Sequence, residues 1–150
     1  MKERLNYASV SPRALHAMLE LEKYISTSGL EHSLYELIKT RASQINGCAY
    51  CLDMHTKDAR KAGETEQRLY ALSAWRETAF FSERERAALE WTEALTVISE
   101  NDIPDSLYDS VRKYFNEMEM VELSMAIIAI NGWNRLAIGF RTVPGSYMPK

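Results

Sequence analysis

The chain has 150 residues, of which 46% are apolar and 10% aromatic, enough to bury one sizeable core rather than remain disordered. Eighteen basic residues stand against 21 acidic ones, a formal net charge of −3. That balance offers neither a nucleic-acid footprint nor a polybasic membrane surface.

The opening stretch MKERLNYASVSPRALH lacks the apolar segment of a secretory signal, and Ser11-Pro12 reads as N-cap and first helical residue of a helix reaching about Ile25. Thr27-Ser28-Gly29 punctuates it. A second helix follows with Leu30, Leu34, Leu37, Ile38 and Ile45 on one face, and Asn46-Gly47 breaks it. The third runs from about Cys48 to Ala62, with Gly63 as its stop. Thr65 opens a fourth, carrying Leu69, Leu72 and Trp75. Ser82-x-x-Glu85 is a capping-box pattern ahead of the stripe Ala88, Leu89, Trp91, Thr92 and Leu95. Pro104 introduces a sixth helix with Leu107, Val111, Tyr114 and Phe115. The last, Glu119 to about Arg141, is apolar on most of its circumference and is expected at the centre of the core. No repeat, linker or low-complexity stretch interrupts the chain. The expectation is one all-α domain over residues 1–150, a bundle of about seven helices. The longest unbroken apolar run, Met125–Ile130, is far short of a membrane span, so a soluble, cytoplasmic protein is expected.

Two cysteines are too few for an extracellular disulfide scaffold, and a close pair in a reducing compartment points to redox chemistry, catalysis or metal binding. Residues 46–55 read NGCAYCLDMH. At ~100° per residue, Cys48, Cys51 and His55 fall within about 60° of one another on the third helix, beside Leu52, Ala59 and Ala62. Asp53, Lys57, Asp58, Arg60 and Lys61 occupy the other face. Cysteines at i and i+3 near a helix start can close a disulfide with little backbone change, and the unpaired amides there favour a thiolate. An imidazole one turn on, roughly 6 Å along the axis, can accept the Cys51 proton. That proximity makes Cys51 the attacking thiolate and Cys48 the resolving thiol, whereas position at the helix N-terminus favours the reverse.

Other readings compete. Buried cysteines can be inert packing. Cys48, Cys51 and His55 could bind a metal, but a structural zinc site wants four ligands and no second Cys/His pair exists. Haem attachment needs histidine where Leu52 stands. A non-enzymatic assembly protein is the third alternative. His16 and His32 read as surface or packing histidines, and Met118, Met120 and Met125 as core packing. The Asn131, Trp133, Asn134, Arg135 cluster reads as structural, because buried Asn and Arg must find partners.

Glu36, eleven residues, then Cys48-x-x-Cys51-x-x-x-His55 resembles the signature of the AhpD-like alkylhydroperoxidases of the carboxymuconolactone decarboxylase superfamily. SQINGCAYCLDMHTKDA, FSERERAALEWTEALT and NGWNRLAIGFR extend the resemblance over most of the chain. It implies an AhpD-like helical bundle assembling as a trimer or hexamer. It also implies a peroxidase or disulfide-reductase cycle that uses cysteines and no cofactor. Its substrate would be a hydroperoxide or a protein disulfide. Its electrons would come from a dithiol donor such as a lipoyl-bearing protein or a peroxiredoxin. In that cycle Cys51 becomes a sulfenic acid, Cys48 resolves it, and Glu36 relays a proton through a water to His55 and Cys51. Unaided, Glu36 reads as a solvent-facing glutamate sharing a side with Lys39, Thr40 and Ser43. In AhpD itself a histidine precedes the second cysteine. Here Tyr50 stands there and cannot act as a base near neutral pH. Ring decarboxylation is disfavoured, because the decarboxylase proper does not use this dithiol motif.

Overall fold

Asn6, Cys48, Thr65, Ser82 and Asn116 each accept a backbone N–H at the start of a helix, whereas Ser11 precedes its helix without a side-chain cap bond. A computed structural model describes residues 2–149, with eight α-helices, one 3-10 segment and no strand among the described residues. They are α1 (Tyr7–Val10), α2 (Pro12–Ser26), α3 (His32–Asn46), α4 (Ala49–Lys61), α5 (Glu66–Ala71), α6 (Glu83–Thr96), α7 (Asp105–Arg112) and α8 (Glu117–Phe140), with the 3-10 segment Leu72–Glu77 after α5. Ser82 and Asn116 each cap their helix and receive a reciprocal bond from Glu85 and Glu119, so both α6 and α8 open on a complete capping box. The fold class is as expected, and two details differ. Asn6 caps a short extra helix, α1. The helix opened by Thr65 breaks after Ala71, where Ala74 leaves helical geometry and swings Trp75 into the core.

The expected centre of the bundle was the last helix. The structure gives that place to α3, which packs against α4, α6 and α8 as well as the 3-10 segment. Residues Leu34 to Thr40 are all buried, polar and apolar alike, because neighbours cover every side of this helix. Leu34 and Ile38 pack with Trp91, Phe115, Leu123 and Ile127 on one side. Leu37 packs with Leu69, Leu72, Trp75 and Leu89 on another. Each fully buried Leu or Ile contributes roughly 1.5–3 kcal/mol.

By length and composition α8 could cross a membrane, yet it packs against α2, α3, α4 and α6. Of its methionines Met120 is buried, Met125 is half-buried and Met118 is exposed, so Met118 is not core packing as expected. It lies in the first turn of α8, on its exposed face. Ala62, placed on the inner stripe of α4 by periodicity, is exposed because it is the C-cap and lies past the last covered turn.

Candidate active site

The site begins where α3 ends. Gly47 adopts φ +69°, and its N–H reaches the carbonyls of Ser43 and Gln44. The Cys48 N–H bonds the Ser43 carbonyl at 3.0 Å, so α3 closes and α4 starts within one left-handed residue. Asn46 anchors this corner, donating to Asn131 Oδ1 at 2.9 Å and Asn134 Oδ1 at 2.8 Å on α8. Asn134 donates onward to Ser43 Oγ, Asn131 to Thr96 Oγ1, and Arg135 to the Asn131 carbonyl. The cluster on α8 is therefore the structural brace of the corner that presents the cysteines.

Cys48 is the N-cap of α4, and its sulfur accepts the Cys51 N–H at 3.3 Å. The two residues are joined as a disulfide with Cα atoms 5.4 Å apart, and both are buried against Ala42, Ile130 and Ala137. A cavity of about 320 Å³ reaches Cys48 between Gly47, Tyr50, Ala137, Ile138 and Thr142.

One turn beyond Cys51, His55 is buried with its Nδ1 3.0 Å from Glu36 Oε2. The contact is direct, without the intervening water that the resemblance implies. Its Nε2 is buried and has no protein hydrogen-bond partner. Glu36 is only 4% exposed, which corrects its reading as a solvent-facing residue. The polar side Glu36, Lys39, Thr40 and Ser43 looks like a solvated face when periodicity is counted along one helix. It is buried because α3 is wrapped on all sides. His32 stays on the surface, although its Nε2 comes within 4.0 Å of Glu36 Oε1. His16 is exposed beside Glu20.

Lys39 is paired in the same buried layer with Glu22 at 3.0 Å, and Glu22 also accepts from Tyr35 and from Trp133 Nε1. Burial works to raise the Glu22 pKa. Lys39, Tyr35 and Trp133 outweigh it and hold the carboxyl below its ordinary value.

Two residues escaped the reading of the sequence. Asp58, assigned to the outer face of α4, lies beside the buried pair: Glu36, His55 and Asp58 offer donor atoms within 4.8 Å of one another. Tyr147, 89 residues away in the C-terminal tail, places its hydroxyl 2.7 and 2.9 Å from the two Asp58 oxygens. Burial first, then Asp58, Glu36 and Tyr50, push the Tyr147 pKa up to about 12, so the hydroxyl remains a donor at neutral pH. Nothing in helical periodicity could have joined a tail tyrosine to α4. The carboxylates and imidazole of this group are the donors a metal would use. Glu36 and His55 already bond each other, and Asp58 is taken by Tyr147. The sulfurs are bonded to one another and offer no thiolate.

A model of the carboxymuconolactone decarboxylase family matches residues 12–94, which span α2 to most of α6 and include Glu36, Cys48, Cys51 and His55. The chain belongs to the carboxymuconolactone decarboxylase family. Within it, the uncharacterized protein YdfG of Bacillus subtilis is 48% identical over 138 residues, covering 92% of this chain and 94% of YdfG. The crystal structure of ATU0492 from Agrobacterium tumefaciens, a protein of unknown function described in terms of AhpD antioxidant defence, superposes with a TM-score of 0.93. It is 47% identical and covers 97% of this chain and 100% of that one. The debrominase Bmp8 shares the fold at a TM-score of 0.81 and 21% identity, covering 92% of this chain and 74% of its own. The family and the AhpD-like helical fold thus agree with the resemblance carried by the cysteine motif.

Proposed function

We propose that the protein is a thiol-dependent antioxidant oxidoreductase that cycles Cys48 and Cys51 between dithiol and disulfide. The observation that carries this reading is the disulfide at the N-terminus of α4, with the Glu36–His55 pair one turn behind it. In the reduced state His55, oriented by Glu36 through Nδ1, accepts the Cys51 proton at Nε2. The Cys51 thiolate attacks the distal oxygen of a hydroperoxide, giving a sulfenic acid and an alkoxide that takes the proton from His55 to leave as alcohol. Cys48 thiol then displaces water from the sulfenic acid and closes the disulfide. A dithiol donor restores both thiols by exchange, becoming a disulfide itself. A partner protein's disulfide could replace the peroxide as oxidant in the same cycle, and a lipoyl-bearing protein or a peroxiredoxin suits the role of donor. Tyr50 supplies no base beside Cys48, so the cycle runs through the Cys51 limb. A reducing, cytoplasmic setting fits two cysteines that must return to thiols.

The test is consumption of cumene hydroperoxide with dihydrolipoamide or dithiothreitol as reductant. Cys51→Ser should abolish turnover. Cys48→Ser should stall it at a sulfenic acid trapped by dimedone on Cys51. His55→Asn should slow it on the order of 10²-fold, the scale of lost general-base help. Full turnover by Cys51→Ser would overturn the proposal.

A further inference from the structure

The C-terminal tail, residues 143–149, lies along the outer face of α4 and is tied to it at three points. The Gly145 N–H donates to Asp53 Oδ2 at 2.9 Å, Lys57 Nζ to the Tyr147 carbonyl at 3.0 Å, and Lys61 Nζ to the Pro149 carbonyl at 3.4 Å. These ties hold the Tyr147 hydroxyl against both oxygens of the half-buried Asp58. Asp58 in turn is within 4.8 Å of the donor atoms of Glu36 and His55. Two carboxylates and an imidazole so close together interact strongly, and the Asp58 charge favours the imidazolium that forms when His55 takes the Cys51 proton.

We propose that Asp58 and Tyr147 are positioning residues of the Glu36–His55 pair: the tail hydroxyl fixes and partly offsets the Asp58 charge, and so sets the pH at which Cys51 becomes a reactive thiolate. This rests on the role proposed above for Glu36 and His55. Tyr147 acts as a donor only, since its own ionisation is pushed well above neutrality by burial and by the neighbouring carboxylates. The other charged groups facing the cluster are accounted for. His32 approaches Glu36 from the first turn of α3 at 4.0 Å. Lys57 is bound to Asp53 and to the tail backbone. Glu64, Arg68 and Glu85 share a cavity with Glu36, where Arg68 pairs with both acids. Tyr50 contributes to the raised Tyr147 pKa from the start of α4. None of these bonds Asp58, so Tyr147 is its hydrogen-bond donor at the site.

The sign of each effect follows. Removing the Asp58 charge disfavours the imidazolium–thiolate pair, and removing the hydroxyl that offsets that charge favours it. In a Cys48→Ser background, where only Cys51 reacts, the rate of alkylation by iodoacetamide is measured against pH on the full chain. Asp58→Asn should raise the pH midpoint by about half a unit, and Tyr147→Phe should lower it by a similar amount. The double variant should match Asp58→Asn alone, because Tyr147 acts through Asp58. Both substitutions nearly preserve shape, and a circular-dichroism melt of each verifies the fold. If Glu36→Gln and His55→Asn move the midpoint while Asp58→Asn and Tyr147→Phe do not, the inference is overturned and the thiol mechanism stands. If none of the four moves it, both fall. A Tyr147→Phe shift that persists undiminished in the Asp58→Asn background also overturns the inference.

Discussion

At Gly47 the backbone turns through φ +69°, and a Cβ built there would meet nothing within 4 Å. The position is therefore selected for conformation and not for space. A left-handed residue lets the Cys48 N–H close α3 while the Cys48 sulfur caps α4, so both helix ends are satisfied by one corner. Gly47→Ala should lower stability by about 1 kcal/mol, the cost of a left-handed conformation for an L side chain. A shift of the urea midpoint at constant slope checks this. The Asn46-Gly47 break and the cysteine pair after it were legible in the residues themselves, since glycine, cysteine and histidine carry their chemistry at fixed spacing. Glu36 was not, because a glutamate looks alike on a solvated face and in a wrapped helix.

Between elements, Glu93 of α6 ties α3 and the 3-10 segment to its own helix. Its carboxylate accepts from Arg41 of α3 at 2.7 Å, from Trp75 Nε1 of the 3-10 segment at 2.8 Å, and from Arg76. Burial would raise its pKa, but the bonds from Arg76, Trp75 and Arg41 outweigh that and hold it below the ordinary value of 4.5. A carboxyl depressed in the folded state stabilises the fold above its unfolded pKa, and that contribution is lost as pH falls through the folded value. Glu93→Gln should therefore cost on the order of 2 kcal/mol at pH 7, as for hydrogen bonds to a charged group. The gap from the parent protein should narrow steadily below about pH 4.5 in urea titrations at stepped pH. The capping box of α6 shows why its start was readable, since donor and acceptor are within three residues of one another, whereas that of α8 sits on Asn116 and starts the helix before the expected Glu119. The break at Ala74 was not readable, because it serves the seating of Trp75 among side chains from α3, α4 and α6.

For the whole molecule, the outer face of α8 remains unpaired. Met118, Val121 and Ile128 are exposed at 71%, 57% and 54%, and with half-buried Met125 they form one apolar stripe at helical spacing. Stripes of this kind mark association surfaces. We propose that it is covered by further copies of the chain, in the trimer or hexamer that the AhpD-like resemblance implies. Ile128→Glu should leave the helical circular-dichroism spectrum intact and reduce the sedimentation coefficient to that of a monomer. An unchanged oligomer, or a parent protein that sediments as a monomer, would contradict it.

The residue pattern by itself determined the helices, their caps, the corner at Asn46-Gly47 and the shared face of Cys48, Cys51 and His55. Each is a matter of spacing within a few turns. Only the tertiary structure decided that α3 rather than α8 is wrapped on all sides, which buries Glu36 against His55. It alone brought Tyr147 to Asp58 across the length of the chain. The physical reason is the same in both cases: whether a polar side chain faces water or a partner depends on which elements pack beside it. That information resides in the sum of many weak apolar contacts, not in the local spacing of any one helix.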